Sequence, residues 1–343
     1  MAHLKEETAA YHALAHLREG SARAITLLCR EYGGFAAAYN ALQERGIALP
    51  DREAAAQELD AYGIELVLRN DPRFPSLLLE APDAPLALYA KGTLPPDHAL
   101  AIVGTRRATA YGEKTAHQFA ATLGRAGAAI VSGLAYGIDA AAHEGALSVG
   151  APTVAVLPCG LDLVYPRAHA KLAERILAAG GALVSEYPPG VEPFSFRFLE
   201  RNRIVSGLAR GVIIIEAPEK SGALVTARLA LEQNRDVFVV PGKPNEPQYR
   251  GSHALLRDGA RIVARPEDVL EDLGIAPGTA DRADAALDGT EADVLALLKE
   301  NGPLSIDKLV ERSNLGPHEI TQALALLALK GLVIESGANY YAA

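Results

Sequence analysis

The sequence predicts an α/β protein: a doubly wound, mainly parallel sheet flanked by an N-terminal small helical domain and a C-terminal winged helix. Three observations carry this. Between residues 99 and 273, short β-rich runs alternate with helical stretches. The runs are almost continuously apolar, as strands covered on both faces must be, rather than alternating like the strands of a half-exposed sheet. Proline- and glycine-containing segments then separate this middle from two shorter ends with helical periodicity. The expected organisation is a helical domain over 1–70, the sheet domain over 71–275, a linker over 276–289 and the winged helix over 290–343.

Residues 9–69 read as short amphipathic helices, with Leu14, Leu17, Ile25, Leu28, Phe35, Leu42 and Leu59 as apolar positions broken by Gly20, Gly33-Gly34 and Gly46. Six prolines between Asp71 and His98 (Pro72, Pro75, Pro82, Pro85, Pro95 and Pro96) predict an extended path across the surface, with 86–89 adding one strand. Seven runs follow at 99–103, 128–131, 153–157, 182–184, 212–215, 237–240 and 261–263. Such sheets bind ligands at the carboxyl ends of their strands. Residues 275–289, rich in Ala, Asp, Gly and Pro, read as a linker. Helices over 291–299, from Ser305, and over 317–330, then a hairpin around Ser336-Gly337, make the winged helix.

At 343 residues, with 49% apolar and 22% charged residues, the chain is an ordinary globular one without an apolar stretch of membrane-spanning length. The N-terminus lacks the basic-then-apolar pattern of a signal peptide. The two cysteines, Cys29 and Cys159, are too few for a disulfide framework or a zinc site. A cytoplasmic location without metal or cofactor is the expectation. The net charge of −9 is uneven: 9 basic and 14 acidic groups over 1–97, 19 and 18 over 98–275, 5 and 10 over 276–343. An anion site therefore belongs to the middle, built from local arginine clusters.

Phe194, Phe196 and Phe198 are interleaved with Arg197 and followed by Arg201-Asn202-Arg203. Rings offer stacking faces to unpaired bases, at about 1–3 kcal/mol per base, and guanidinium groups track phosphates. The alternative is a helix start with core phenylalanines and a solvated arginine rim. At strand ends, Gly104 with Arg106, and Ser132-Gly133, suit anion-binding turns. Arg167 begins a helix after the third strand, and Lys243 follows Pro241-Gly242. Asp139 and His143 share a helix face, where two ligands without a third favour a cap and a local hydrogen bond over a metal. Ser221 and Thr226 read as helix capping and helix-surface residues. No G-x-G-x-x-G, G-x-S-x-G, H-E-x-x-H or P-loop is present, which favours binding over catalysis.

Taken together the loops resemble the DNA-processing protein A (DprA/Smf) family. The similarity spans about residues 72–265, through Val103-Gly104-Thr105-Arg106, Ser132-Gly133-Leu134-Ala135, Gly137-Ile138-Asp139, Gly160-Leu161-Asp162, Tyr165-Pro166, Ser185-Glu186-Tyr187-Pro188-Pro189-Gly190, Arg201-Asn202-Arg203, Ser221-Gly222 and Asp258-Gly259-Ala260. The resemblance implies a Rossmann-like core that binds single-stranded DNA, a homodimer, and loading of the RecA recombinase in natural transformation. Carried over by position, Arg106 after the first-loop glycine Gly104, Ser132-Gly133, Asn202 and Arg203 line the DNA pocket, with Arg167 and Phe194 or Phe196 as looser assignments; Lys243 joins the candidate set from its own strand-end loop and not from the resemblance. Thr105 stands where the family usually has serine.

Two other readings compete. A nucleotide-binding phosphoribohydrolase would need a Pro-Gly-Gly-x-Gly-Thr loop, and the corresponding stretch is Glu219-Lys220-Ser221-Gly222-Ala223-Leu224. A transcription regulator would need a cationic recognition helix, yet 317–330 carries Lys330 as its sole Lys or Arg.

Overall fold

A computed structural model of the chain describes residues 2–17, 22–96, 98–275, 289–313, 315–329, 332–336 and 339–342. It divides into two compact units, Met1–Gly278 and Thr279–Ala343. The sheet of the first unit contains β1 (Glu65–Leu68), β2 (Ala87–Gly92), β3 (Leu100–Val103), β4 (Ile130–Ser132), β5 (Thr153–Val156), β6 (Ala182–Ser185), β7 (Gly211–Ile214), β8 (Asp236–Val239) and β9 (Arg261–Ile262). Their order is β1-β2-β6-β5-β4-β3-β7-β8-β9. The run from β6 to β9 is parallel, and β2 joins β6 antiparallel with β1 antiparallel outside it.

All seven expected runs of the parallel region are strands, and the side chains of β3 show why they read as unbroken apolar stretches. Leu100 and Ile102 pack with helices Ala110–Arg125 and Ile138–Leu147, whereas Ala101 and Val103 face helices Ser195–Gly207 and Gly222–Glu232 on the other side. Both faces of a doubly wound sheet are covered, so neither parity needs polar residues. From β3 the chain winds outward through β4, β5 and β6, then returns to β7 on the opposite side of β3. The loops leaving β3 and β7 diverge there, which opens a crevice at the carboxyl ends of the two strands.

Two expectations need correction. The segment 71–98 does not run across the surface: Phe74, Leu78, Ala81 and Ala84 are buried in the same core as Val205, Leu208 and Ala230. Its prolines instead flank a short helix, Ser76–Leu79. The N-terminal helices also do not form a core of their own. Leu14, Tyr39, Leu42 and Leu59 share one apolar cluster with Leu66 and Leu68 of β1, Tyr89 of β2 and Leu183 of β6. The first unit is therefore continuous across residue 70.

The second unit has helices Gly289–Asn301, Ile306–Arg312 and Pro317–Leu329 and an antiparallel pair, β10 (Val333–Ser336) and β11 (Asn339–Ala342), around a core of Val294, Leu298, Leu309, Ile320, Leu324 and Leu327. This is a winged helix. Residues 276–288 of the expected linker, the hairpin tip Gly337 and Lys330 lie outside the described residues. Among those described, no helix is long and apolar enough to cross a membrane.

Candidate functional site

A groove of about 390 Å³ opens at the crevice beside β3 and β7. Its floor comes from the loop after β3 (Gly104, Thr105, Arg106, Arg107) and the turn after β4 (Gly133, Ala135). Its walls come from Phe198, Arg201 and Asn202 of one helix and Lys220, Ser221 and Gly222 at the start of another. Arg106, Arg107 and Lys220 are exposed. Among the described residues the only carboxylate lining it is Asp139, which is buried and whose Oδ2 accepts hydrogen bonds from the Gly133 and Ala135 amides at 3.1 and 3.3 Å. The open surface of the groove is thus cationic.

Each wall is fixed by a local device. Thr105 N donates to Glu216 O at 2.7 Å, joining the ends of β3 and β7. Glu216 Oε2 accepts from Thr109 N at 2.9 Å, setting a carboxylate at the N-terminus of helix Ala110–Arg125, where the helix dipole favours it. Ser221 caps the next helix by accepting from Ala223 N at 3.2 Å, as expected, whereas Thr226 is buried rather than on the helix surface, with Oγ1 3.4 Å from Gly222 O one turn back. At Gly104 a side chain is impossible: an added Cβ would lie 2.9 Å from Glu216 O and closer still to Ile138.

Beneath the groove lies Arg201, 4% exposed. Its Nη1 donates to Gly133 O at 2.8 Å and to Val156 O, bridging the ends of β4 and β5. A Cβ on Gly133 would collide with this guanidinium, which explains the glycine. Burial lowers the Arg201 pKa to about 10, so it stays a cation at neutral pH, while burial raises the Asp139 carboxyl and the Arg201 charge opposes that rise.

Aromatic rings and guanidinium groups meet along the start of helix Ser195–Gly207. The Arg106 guanidinium lies over the Phe198 ring at 4.6 Å, and the Tyr165 ring packs edge-on against Phe198 at 5.5 Å between centroids. Beyond them Arg197 lies 5.0 to 5.4 Å from the rings of Phe194, Tyr187 and Phe196. Phe194 and Phe196 are parallel to within 5° and more than half exposed. The Phe-Arg segment is therefore a surface of cations on rings, not an apolar helix start turned inward.

Of the residues singled out from sequence, Gly104, Arg106, Gly133 and Asn202 line the groove together. Phe194 and Phe196 are not among the residues lining it; they stack on each other and on Arg197 at the start of the helix that carries Phe198. Ser132 does not reach it: its hydroxyl is buried and donates to Ile102 O at 2.7 Å across the sheet. Arg203 is turned away as well, with Nη2 2.5 Å from both Glu186 oxygens and Nε 3.6 Å from Asp83. Arg167 is exposed in a short turn after the cis Tyr165-Pro166 bond, and Lys243 is exposed beside Glu246 at 3.2 Å. Arg107 and Lys220 line the groove beyond the residues singled out from sequence, and Phe198 does so from within the ring cluster read there as a stacking surface. Lys220 carries a usable signal of its own, a cation immediately before a capped helix at a strand end.

Asp139 ties the turn after β4 rather than capping its helix, whose N-cap is Gly137. His143 is fully buried, and Thr153 Oγ1 donates to Ile130 O at 2.7 Å, so the hydroxyl accepts from His143 Nδ1 at 2.7 Å. Burial pulls its pKa down to about 3. An unfolded imidazole titrates near about 6.5, so below that pH the unfolded chain takes a proton that the folded chain refuses. Stability should be full above about pH 6.5 and decline from there toward about pH 3. His143→Gln should remove about one proton from the uptake on unfolding. An unchanged pH dependence of the urea midpoint would contradict this assignment.

The fold and the groove together define the class: a Rossmann-like sheet whose switch point carries a cationic, ring-bordered groove. Residues 65–274 match the family described as DNA recombination-mediator protein A, and residues 278–337 match the DprA winged helix domain. The chain belongs to the DNA recombination-mediator protein A (DprA/Smf) family. It is 44% identical to protein Smf of Escherichia coli over 234 residues, 67% of this chain and 63% of that protein, so it spans less than two thirds of that relative. The structure of DNA processing protein A from Streptococcus pneumoniae superimposes with a TM-score of 0.60 at 37% identity, covering 69% of this chain and 81% of the other. That of DNA processing protein A from Helicobacter pylori, whose single-stranded DNA binding mode has been described, gives 0.54 at 34% identity, covering 61% and 95%.

Proposed function

We propose that the chain binds single-stranded DNA in the groove at the β3, β4 and β7 ends. As a cytoplasmic homodimer it would shield incoming strands and load the RecA recombinase in natural transformation and DNA repair. The observation that carries the binding step is the Arg106 guanidinium stacked on Phe198 at the groove wall, with Arg107 and Lys220 on the same lining. Cations there meet phosphates, and the rings of Phe198, Phe194 and Phe196 offer faces to unpaired bases. Family membership and the H. pylori neighbour support the choice of polymer. Binding rather than catalysis is favoured because the one lining carboxylate, Asp139, is held by two loop amides and by Arg201.

Within this reading Arg203 holds the groove-forming helix through Glu186 and does not touch phosphate. The winged helix, with 5 basic and 10 acidic groups over 276–343, is a protein-contact or regulatory module, since a polyanion would be repelled. The test is a pair of substitutions. Arg106→Ala and Lys220→Ala should each weaken single-strand binding and flatten the slope of log affinity against log salt by about 0.7, the contribution of one phosphate contact. Arg203→Ala should leave the slope unchanged. A slope that moves with Arg203 and not with Arg106 would overturn the assignment.

A further inference from the structure

Away from the groove, two histidines of the N-terminal region converge on one carboxylate oxygen. His12 lies on helix Ala2–Ala15 and His16 one turn later, while Glu58 comes from helix Arg52–Tyr62. His12 Nε2 and His16 Nε2 each lie 3.2 Å from Glu58 Oε2, and the two nitrogens are 3.4 Å apart. Zinc bonds of about 2.0–2.1 Å directed tetrahedrally put neighbouring ligand atoms about 3.3–3.4 Å apart, so all three edges have nearly the length a metal would impose. Hydrogen bonding alone accounts for this less well, because two ring N–H groups aimed at a single oxygen bring their like-signed protons together.

The surroundings fit the same reading. The remaining ring nitrogen of His12, Nδ1, is 3.0 Å from Tyr89 Oη, the kind of outer hydrogen bond that fixes the ring of a metal-ligating histidine. The His12 side chain is 0% exposed, whereas those of His16 and Glu58 are 26% and 36% exposed. One side of the trio is thus held in the core and the other opens to solvent, leaving an entry path and room for water as a fourth ligand. Two imidazoles and one carboxylate suit Zn²⁺ and its transition-metal neighbours, whereas Mg²⁺ and Ca²⁺ prefer all-oxygen sites.

We propose that His12, His16 and Glu58 bind a divalent transition-metal ion of the zinc class. The ion clamps helix Ala2–Ala15 to helix Arg52–Tyr62 and, through Tyr89, both to the antiparallel edge of the sheet. The site is structural and independent of the DNA reading. His12 and His16 have the i, i+4 spacing of paired ligands, but Glu58 lies 42 to 46 positions further on, so the two-cysteine count does not disclose the site and the histidine spacing gives only two of its three ligands.

The experiment uses the full-length chain without a polyhistidine tag, stripped by chelator and then titrated. One equivalent of Co²⁺ should give the visible bands of a four-coordinate site, and Zn²⁺ should displace it. Zinc at about a hundredfold over its dissociation constant should raise the thermal midpoint by roughly 5 °C, and Mg²⁺ should not. His16→Ala and Glu58→Gln should each weaken zinc binding by about tenfold or more, abolish the rise, and leave the metal-free midpoint and single-strand affinity near those of the parent. A chain that takes up no zinc at micromolar concentrations, or variants that bind it as tightly as the parent, would show that protons alone hold the trio. Failure of DNA binding with intact cobalt spectra would count against the groove and not against this site.

Discussion

Replacing Arg201 with methionine is expected to destabilise the first unit by about 3–5 kcal/mol, the range for removing one partner of a buried charge arrangement. The substitution keeps much of the side-chain volume, so the loss is polar. Gly133 O and Val156 O lose their donor, and Asp139 keeps a buried carboxylate whose nearest compensating cation is gone. Each unmet polar group adds about 1–3 kcal/mol. For a unit of this size the thermal midpoint should fall by roughly 10 °C. Arg201→Lys should recover only part of this, because one ammonium cannot reproduce a planar fork spanning two strand ends. A urea unfolding curve shifted by less than about 1 kcal/mol would mean that the guanidinium does not hold the groove floor. The same variants should lose single-strand binding, since Gly133 and the loop after β4 form that floor.

The parallel region was legible because its physics is local. A strand covered on both faces must be apolar at every position, and β3 to β8 are buried along nearly their whole length. β1 was not legible. Four residues, Glu65 to Leu68, directly follow a helix capped by Gly63, and nothing in so short a run separates a strand from the end of a helical pattern. The packing of the N-terminal helices onto β1 and β2 was hidden for another reason: an apolar stripe shows that a helix face is buried and not what buries it.

The site divides in the same way. Gly104, Gly133 and Arg106 could be found because strand-end glycines and the cation after them sit at fixed places in a doubly wound fold. Arg201 and Arg203 could not be told apart. They are two positions apart on one helix, and their partners, Gly133, Val156, Glu186 and Asp83, come from distant segments. Only the folded structure shows one arginine bracing the groove floor and the other paired with acids outside it. Phe198 belongs to the cluster that sequence singled out, but its face toward Arg106 depends on the loop after β3.

The groove is expected to take single strands in preference to duplex. Three exposed lining cations, Arg106, Arg107 and Lys220, with up to two neighbours correspond to about three to five neutralised phosphates. For single strands each contributes about −0.7 to the slope of log affinity against log salt, which predicts roughly −2 to −4. Stacking on Phe198, Phe194 and Phe196 needs base faces that a duplex hides, at about 1–3 kcal/mol per base, so two stacked bases amount to a preference of roughly a hundredfold. Fluorescence anisotropy with a labelled single-stranded oligonucleotide and its matching duplex, each at 50 and 200 mM salt, measures both quantities at once. Single-strand binding should be about a hundredfold tighter than duplex binding, with a slope in that range. Equal affinity for the two forms would contradict it.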